Sequence, residues 1–320
     1  MPFWYRPVSW AWLLLPLALV FKIISLCRRL AYQKGFLKSY KSQLPVIIVG
    51  NISVGGNGKT PFVIWLCEVL ISAGYKPAVI SRGYGGKSNH YPLLVSEHIK
   101  GSEAGDEPIL IHQRLGIPVV VDPIRKNAVK YIEQHCLADI IISDDGLQHY
   151  ALQRDIEIVI VDGKRRFGNQ QLIPMGPLRE NLSRLSSVDF VINNGEQQVN
   201  EMTMLLKAQS CKRVDGKAAQ LSSGLKVNAC AAIGYPQRFF ETLNQQQFEI
   251  LKAVGFNDHH AFSKDDFSQF ETSVPLLMTE KDAVKCTDFA QPNWWYLPVS
   301  AELPAHFEQQ LLNRIKEIKC

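Results

Sequence analysis

From Pro45 onward, short apolar runs alternate with longer stretches of helical periodicity. Runs of consecutive apolar residues are typical of strands that are covered on both faces. Alternation of such strands with helices predicts an α/β fold, in which helices cover both faces of a parallel sheet. The predicted strands are 46–49, 78–80, 118–121, 140–142, 158–161 and 188–193. The clearest predicted helices are 60–73 and 126–135.

The pattern weakens and becomes polar over 195–223, which we interpret as a connector with room for two extended pieces. An apolar run restarts at 227–233, and helix and strand patterns then continue to the end. We therefore expect an N-terminal membrane-associated helix (1–30), a core domain (31–225) and a smaller C-terminal α/β domain that closes over the site (226–320).

The segment 8–27 is apolar enough to cross a bilayer, although Pro16 and Lys22 interrupt it. Trp10 and Trp12 lie near one end, where aromatic rings favour the membrane interface. No acidic residue precedes Glu68, whereas several basic residues do, which suits anionic lipids. A single span and a helix lying in the interface both place the protein on a membrane. A cleaved signal peptide is disfavoured because no small-residue cleavage site follows.

Composition narrows the classes further. The chain has 320 residues, of which 46% are hydrophobic and 20% charged, so a packed core is expected and long disorder is not. The net charge of +5 is too small and too dispersed to indicate a nucleic-acid partner. The seven cysteines form no Cys-x-x-Cys pair, which argues against a disulfide framework or a zinc site and favours a reducing compartment.

The strongest motif is a Gly-rich loop between the strand 46–49 and the helix 60–73. Such a phosphate-binding loop, or P-loop, uses backbone N–H groups to hold phosphate oxygens. Lys59 would reach the β- and γ-phosphates, and Thr60 would ligate Mg²⁺. The predicted nucleotide-binding residues of the loop are Ser53, Val54, Gly55, Gly56, Asn57, Gly58, Lys59 and Thr60.

Ser53 departs from the strict pattern, which has glycine at that position, and Gly55 and Gly56 would supply the flexibility instead. The alternative is a chance Gly-rich turn before a helix. The flanking strand and helix argue against that alternative, and the sheet is therefore expected to be of the P-loop NTPase type.

Acidic residues supply further candidates. Asp144 and Asp145 follow the strand 140–142 and suit the Walker-B role of positioning Mg²⁺, although a polar turn would look the same. Asp106 and Glu107 lie in an acidic loop, where either would cap a helix, or one of these carboxylates would accept the proton of an attacking hydroxyl. The paired His259 and His260 suggest metal binding, but no further ligands occur at suitable spacing; the alternative is that His259 orients or assists a catalytic carboxylate.

Three arginines lie in loops or after strands, where they would neutralise a transferring phosphate or be simply solvated. These are Arg82, Arg125 and Arg179. The Pro/Gly-rich run 174–180 looks rigid and would hold Arg179 and Glu180 in place.

Taken together, these segments resemble the tetraacyldisaccharide 4′-kinase family of lipid A biosynthesis over essentially the whole chain. The segments that carry the resemblance are 49–61, 81–86, 105–108, 144–149, 174–180, 233–240, 258–259 and 279–286. Leu147 stands where phenylalanine is common in the family, and Tyr235 where asparagine is common.

The resemblance implies transfer of phosphate from ATP, with Mg²⁺, to the 4′-hydroxyl of a lipid A disaccharide precursor. It also implies a location at the cytoplasmic face of the bacterial inner membrane. By resemblance Asp106 is the catalytic base and His259 its partner, while Lys59 and Arg179 act on the phosphates. The positions matched near the ligands are Arg82, Tyr84, Arg125 and Arg179, and the acidic site positions are Asp144, Asp145 and Glu180.

Because His259 is far along the chain from Asp106, the two domains would have to close to bring them together. Two alternatives stay open. A membrane-associated regulatory NTPase would explain the P-loop without a lipid acceptor, but in 279–282 the lysine is one place too late for a guanine-reading motif. A soluble sugar or nucleoside kinase would leave the apolar N-terminus unexplained. The oligomeric state is open, with a monomer sufficient, and so is the acyl-chain preference.

Overall fold

The computed structural model describes residues 3–5 and 10–319. Its α-helices are α1 (Leu15–Gln33), α2 (Lys59–Ser72), α3 (Gly101–Ala104), α4 (Asp106–Leu115), α5 (Arg125–Gln134), α6 (Pro236–Gln245), α7 (Glu280–Cys286) and α8 (Ala305–Lys319). Short 3₁₀ helices are Phe3–Tyr5, Trp10–Leu14, Leu182–Ser187, Lys264–Phe267 and Thr287–Phe289.

The strands form two sheets. They are β1 (Val46–Gly50), β2 (Pro77–Ser81), β3 (Leu93–Leu94), β4 (Val119–Val121), β5 (Ile140–Asp144), β6 (Ile156–Asp162), β7 (Phe190–Asn194), β8 (Met202–Ala208), β9 (Lys212–Arg213), β10 (Lys226–Ala231), β11 (Glu249–Gly255), β12 (Leu276–Thr279), β13 (Trp294–Leu297) and β14 (Val299–Glu302).

The first sheet has nine strands in the order β14-β8-β7-β6-β1-β5-β2-β4-β3. Its pairs are parallel except at the two edges, where β3 and β14 run antiparallel to their neighbours. The central strands β1, β2, β5 and β6 are buried along their whole length, as their apolar sequences predict. The expected α/β architecture with a mainly parallel sheet is thereby confirmed.

Helices cover both faces of this sheet. On one face, α2, α4 and α8 contribute side chains such as Phe62, Ile111 and Phe307 to one apolar core. On the other face, α5 contributes Ala128, Val129 and Ile132 to a second core. Because α2 begins directly after the loop that follows β1, packing of α2 on the sheet holds that loop at the carboxyl end of the strands.

The smaller second sheet has the order β11-β10-β12-β13-β9, with only β9 antiparallel to its neighbour. It has two cores of its own, one under α6 around Phe240 and Leu243, and one around Phe267 and Trp294. The predicted extended pieces of the connector correspond to β8 and β9, which belong to different sheets.

The domain boundary near residue 225 stays a prediction, but the last part of the chain does not lie in the smaller domain as expected. We expected all of 226–320 in the smaller domain, whereas β14 and α8 lie on the first sheet. The chain passes from β13 to β14 across Pro298 alone. Proline lacks an N–H for the strand ladder, which explains why the strand pattern breaks there. The chain pattern indicates the type of each element, but not which sheet it joins.

One helical stretch within the described residues, Trp10–Gln33, is long and apolar enough to cross a membrane, with a mean hydropathy of 2.0 and only 11% of it buried. Ala11 and Ala18 pack against Met175 of the core, and most of the larger apolar side chains point away from the protein. The expected N-terminal apolar helix is therefore present and projects one exposed apolar surface.

Candidate active site

The phosphate-binding loop connects β1 to α2 and has the backbone conformation that its glycines allow. Gly58 has a φ of +90° and directly precedes α2. A Cβ at Gly58 would lie 2.4 Å from Asn194 Nδ2, which donates a hydrogen bond to the carbonyl of Asn57. Only glycine fits both this conformation and this close approach.

Ser53, the departure from the strict loop pattern, has a structural role. Its side chain is buried, and its Oγ accepts a hydrogen bond of 3.1 Å from Asn57 Nδ2. Backbone hydrogen bonds to the run after Pro174 flank it, from Val54 N to the Pro177 carbonyl and from Arg179 N to the Ile52 carbonyl. The rigid Pro/Gly-rich run thus braces the start of the loop from outside.

A second brace was missed by sequence reasoning. Arg165 donates hydrogen bonds to the carbonyl of Gly56 and to Asn57 Oδ1. Its guanidinium is held in turn by Asp162, a buried carboxylate at the end of β6. Arg238 of α6 donates to the same Asp162 oxygen at 2.7 Å. The only signal in the sequence was an acidic residue at a strand end, the same signal that was recognised for Asp144.

Asp144 ends β5, the strand beside β1, and Asp145 directly follows it, so both lie next to the loop. Asp144 is buried, and its Oδ1 has no hydrogen-bond partner among the described residues. Burial, followed by the nearby Glu107 carboxylate, raises the pKa of Asp144 to about 7. Burial also acts on Asp145, but Lys59 (Nζ 3.5 Å away) and Arg179 outweigh it and lower the pKa of Asp145.

These side chains fit a magnesium ion. Asp144, whose Oδ1 has no hydrogen-bond partner among the described residues, lines the same cavity as Thr60 at the start of α2. Mg²⁺ prefers oxygen ligands and is commonly held by one or two carboxylates together with substrate phosphates. No group of three or more His, Cys, Asp or Glu residues with metal-binding geometry occurs in the described part of the chain.

The predicted arginines occupy three different environments. Arg125 is buried and donates to the backbone carbonyls of Asp144 and Asp145. Arg179 is half-buried and forms an ion pair of 3.2 Å with Asp145. Arg82 and Tyr84 are exposed on the rim of the cavity. Arg125 therefore supports the backbone at the carboxyl end of β5, whereas Arg82 and Arg179 have N–H groups open to a ligand.

Asp106 begins α4, and the structure brings it within 3.7 Å of His259, measured from Oδ2 to Nδ1. Gly105 before it has a φ of +88°, and a Cβ there would meet the carbonyl of Tyr84 at 2.7 Å. This contact packs the loop that carries Arg82 and Tyr84 beside Asp106. The ring of Tyr84 also meets the His259 ring edge-on, with centroids 4.7 Å apart.

Two lysines of α7 complete this cluster. Lys281 Nζ lies 3.0 Å from Glu107 Oε1 and 3.3 Å from His259 Nε2. Lys285 Nζ lies 3.6 Å from Asp106 Oδ2. The sequence placed 279–286 in the family resemblance but gave Lys281 and Lys285 no role in the site, because the spacing of residues along the chain does not show that α7 packs against α4.

Glu180 differs from the other predicted metal ligands. Its carboxylate accepts hydrogen bonds from Gln148 Nε2 at 2.8 Å and from Tyr150 Oη at 2.6 Å, and it lies 3.3 Å from Arg184 Nε. These partners occupy its oxygens. In this arrangement Glu180 orients Gln148, which lines the cavity.

The cavity between the two sheets has a volume of about 1190 Å³. The loop residues 54–61 form its floor, and the second sheet contributes Gly234, Arg238, His259 and Lys281 to the opposite wall. Among the described residues, the predicted Ser53, Asp106 and Glu180 are not part of the lining, and each contacts a residue that is. Arg28 from the end of α1 also reaches the cavity.

A P-loop at the carboxyl end of a parallel strand, with a lysine opening the next helix and acidic residues on the neighbouring strand, defines a P-loop nucleotide-binding protein. Comparison with known proteins gives the family. The model of the tetraacyldisaccharide-1-P 4′-kinase family matches residues 10–316, and the chain belongs to that family. It is accordingly a kinase, which confirms the enzyme class expected from the sequence over the regulatory alternative.

Individual relatives agree over the full length. The tetraacyldisaccharide 4′-kinase of Psychromonas ingrahamii is 88% identical over 320 residues, covering 100% of both chains. That of Aeromonas hydrophila is 55% identical over 98% of this chain and 94% of the relative. The crystal structure of LpxK from Aquifex aeolicus in complex with ATP covers 96% of this chain and 99% of that chain, with 29% identity and a TM-score of 0.78.

Proposed function

We propose that this kinase transfers the γ-phosphate of ATP to the 4′-hydroxyl of a tetraacyldisaccharide 1-phosphate, with Asp106 as the general base and His259 as its partner. The acceptor class is the one that the family name describes, and a related structure holds ATP. The observation that carries the assignment of the base is the approach of Asp106 to His259 at 3.7 Å, across a cleft whose floor is a P-loop.

The chain's own residues support each part of the transfer. The loop amides and Lys59 hold the phosphates, and Arg179 adds positive charge where charge develops in the transition state. The acceptor oxygen attacks the γ-phosphorus, its proton passes to the Asp106 carboxylate, and the bond between the γ-phosphorus and the β–γ bridging oxygen breaks to release ADP. Mg²⁺, when held by Thr60 and Asp144, would neutralise phosphate charge.

Membrane attachment is part of the proposal. Arg28 and Arg29 lie in the C-terminal part of α1, beside its exposed apolar side chains, which suits a membrane whose cytoplasmic surface is anionic. Arg28 also lines the cavity, so a lipid acceptor held in the bilayer would have its sugar headgroup near the phosphate-binding loop. The proposed location is the cytoplasmic face of the bacterial inner membrane, where ATP is available.

Asp106→Asn tests the base. The substitution keeps the shape of the side chain and removes its ability to accept the proton, so turnover should fall by about 10²–10⁴-fold while ATP binding stays near normal. The measurement is transfer of radiolabelled phosphate from ATP to the disaccharide acceptor, with ATP affinity measured separately. Glu97→Gln, an exposed carboxylate elsewhere on the surface, is the matched control. Turnover of Asp106→Asn within a few-fold of wild type would eliminate Asp106 as the base.

A further inference from the structure

Lys281 lies in the cleft between α4 and α7, where its ammonium group meets three side chains. Nζ is 3.0 Å from Glu107 Oε1, 3.3 Å from His259 Nε2 and 3.9 Å from Asp258 Oδ1. The Lys281 side chain is 16% exposed, so these contacts replace most of its water. Its position therefore determines which hydrogen-bonding roles are open to the His259 ring.

An ammonium group has donors but no acceptor. Burial lowers the pKa of Lys281, but the carboxylates of Glu107 and Asp258 outweigh that effect and raise it overall. Lys281 is thus charged at neutral pH and can only donate to His259. Two donors facing each other at 3.3 Å would repel, so Nε2 presents its lone pair to Lys281, whose Nζ is closer to Nε2 than Asp258 Oδ1 is, at 3.9 Å.

The proton of a neutral His259 ring consequently lies on Nδ1. This atom faces Asp106 Oδ2 at 3.7 Å, and it is buried without a hydrogen-bond partner among the described residues. The distance from Nδ1 to Asp106 Oδ2 is slightly too long for a hydrogen bond. A small closure of the cleft would convert this contact into one. The edge-on contact with Tyr84 holds the ring in this orientation.

We infer that Lys281 is a positioning residue that selects the tautomer of His259 with the proton on Nδ1, and thereby directs an N–H at the Asp106 carboxylate. The catalytic consequence rests on the proposed role of Asp106 as the base. With the N–H facing it, the Asp106 carboxylate is held in one orientation until it accepts the acceptor's proton. With the proton on Nε2, the Nδ1 lone pair would face the carboxylate and repel it.

The tautomer is measured directly by nitrogen NMR of the detergent-solubilised full chain with labelled histidine. The chain has eight histidines, and His259→Gln identifies the signal by removing it. In the wild type, Nδ1 should have the chemical shift of a protonated nitrogen and Nε2 that of an unprotonated one. In Lys281→Met the tautomer with the proton on Nε2 should appear. A wild-type ring protonated on Nε2, or a Lys281→Met spectrum unchanged from wild type, would overturn the inference.

Three further variants separate positioning from simple structural support. Lys281→Arg keeps a group that can only donate, and it should retain the Nδ1–H tautomer and recover part of the activity. Glu107→Gln breaks the ion pair to Lys281 but leaves the contact with His259, so it should also retain the tautomer. Lys226→Met removes a lysine from an exposed pair on the second sheet and should change neither tautomer nor turnover. Loss of the tautomer in Glu107→Gln together with Lys281→Arg would show that Lys281 only ties the cleft together.

Kinetics give the second measurement. Lys281→Met should lower kcat by about 10–100-fold, with the KM for ATP changed by less than about threefold, because orientation of the base is lost and phosphate binding is not. An unchanged kcat would contradict the positioning role. Failure of this inference can be distinguished from failure of the proposed function. Near-normal turnover of Asp106→Asn would eliminate Asp106 as the base, whereas the nitrogen spectra of Lys281→Met test the tautomer independently of turnover.

Discussion

At the scale of single residues, Asp144 and Asp145 show how far two neighbours of the same type can differ. Asp144 is buried and its Oδ1 has no hydrogen-bond partner among the described residues, whereas Asp145 meets Lys59 and Arg179. Burial raises the pKa of Asp144 to about 7, while the cations outweigh burial at Asp145 and lower its pKa. The cations of the protein therefore neutralise Asp145, whereas burial has the larger effect on Asp144.

This difference predicts opposite effects on stability. The pKa of Asp144 is raised on folding, so the folded protein binds this proton more tightly than the unfolded chain does. The resulting destabilisation grows as pH rises from about 4 to about 7 and is complete above 7. Asp144→Asn should therefore raise the melting temperature at pH 8, by ~2–4 °C per kcal/mol recovered, and change it little at pH 5, while kinase activity is lost. Thermal unfolding with a metal chelator present measures this.

Asp145→Asn is the matched control. The pKa of Asp145 is lowered on folding, so its stabilising contribution is present above the ordinary aspartate pKa and is lost only as pH falls through the lowered value. Its substitution should lower the melting temperature at pH 5 and at pH 8 alike. A melting temperature of Asp144→Asn below that of wild type at pH 8 would contradict the assigned environment of Asp144.

At the scale of elements, the two sheets are connected by side-chain ion pairs as well as by the polypeptide backbone. Two ion pairs join α6 of the second sheet to the segment at the end of β6. Arg238 meets the buried Asp162, which also holds the arginine that braces the phosphate-binding loop. Lys164 meets Glu241 at 3.6 Å in an exposed pair. The buried pair connects the position of α6 directly to the shape of the loop.

Arg238→Ala should weaken ATP binding about tenfold, because α6 is then no longer held above the loop. Ordering α6 on binding would cost about 1.4 kcal/mol, which corresponds to that tenfold change. Asp162 keeps its other arginine partner, so the protein should stay folded. Glu241→Gln breaks the exposed pair between the same two elements and should weaken binding less than about threefold. Isothermal titration with a non-hydrolysable ATP analogue measures both. Equal effects of the two variants would show that the buried pair has no special role.

The N-terminal helix α1 has an apolar face that the other described residues leave exposed. Leu17 and Ile24 are 58% and 61% exposed, and we expect them to contact lipid. Aspartate at both positions should move the protein from the membrane to the soluble fraction, because a charge in the centre of a membrane helix costs about 2.5–3.5 kcal/mol. Fractionation of cells measures this. Val199→Asp with Leu251→Asp, two exposed apolar residues elsewhere, should leave the protein on the membrane; release by both pairs would refute a specific role of α1.

At the scale of the whole molecule, the chain crosses between the sheets twice. It leaves the first sheet between β8 and β9 and returns between β13 and β14. The two crossings are neighbours, because β14 pairs with β8 and β13 pairs with β9. A two-stranded antiparallel ribbon therefore joins the halves and frames the cavity, and the second sheet can place His259 and Lys281 opposite the phosphate-binding loop.

The sequence by itself determined the local features: which runs are buried strands, where the phosphate-binding loop lies, and which strand end carries Asp144. These follow from periodicity, glycine conformation and the charges of adjacent residues, all of which are encoded within a few positions. Only the tertiary structure decided that β14 and α8 return to the first sheet, that Arg165 and Asp162 brace the loop, and that Lys281 meets His259. Such contacts join residues far apart in the chain, and their geometry depends on how whole elements pack.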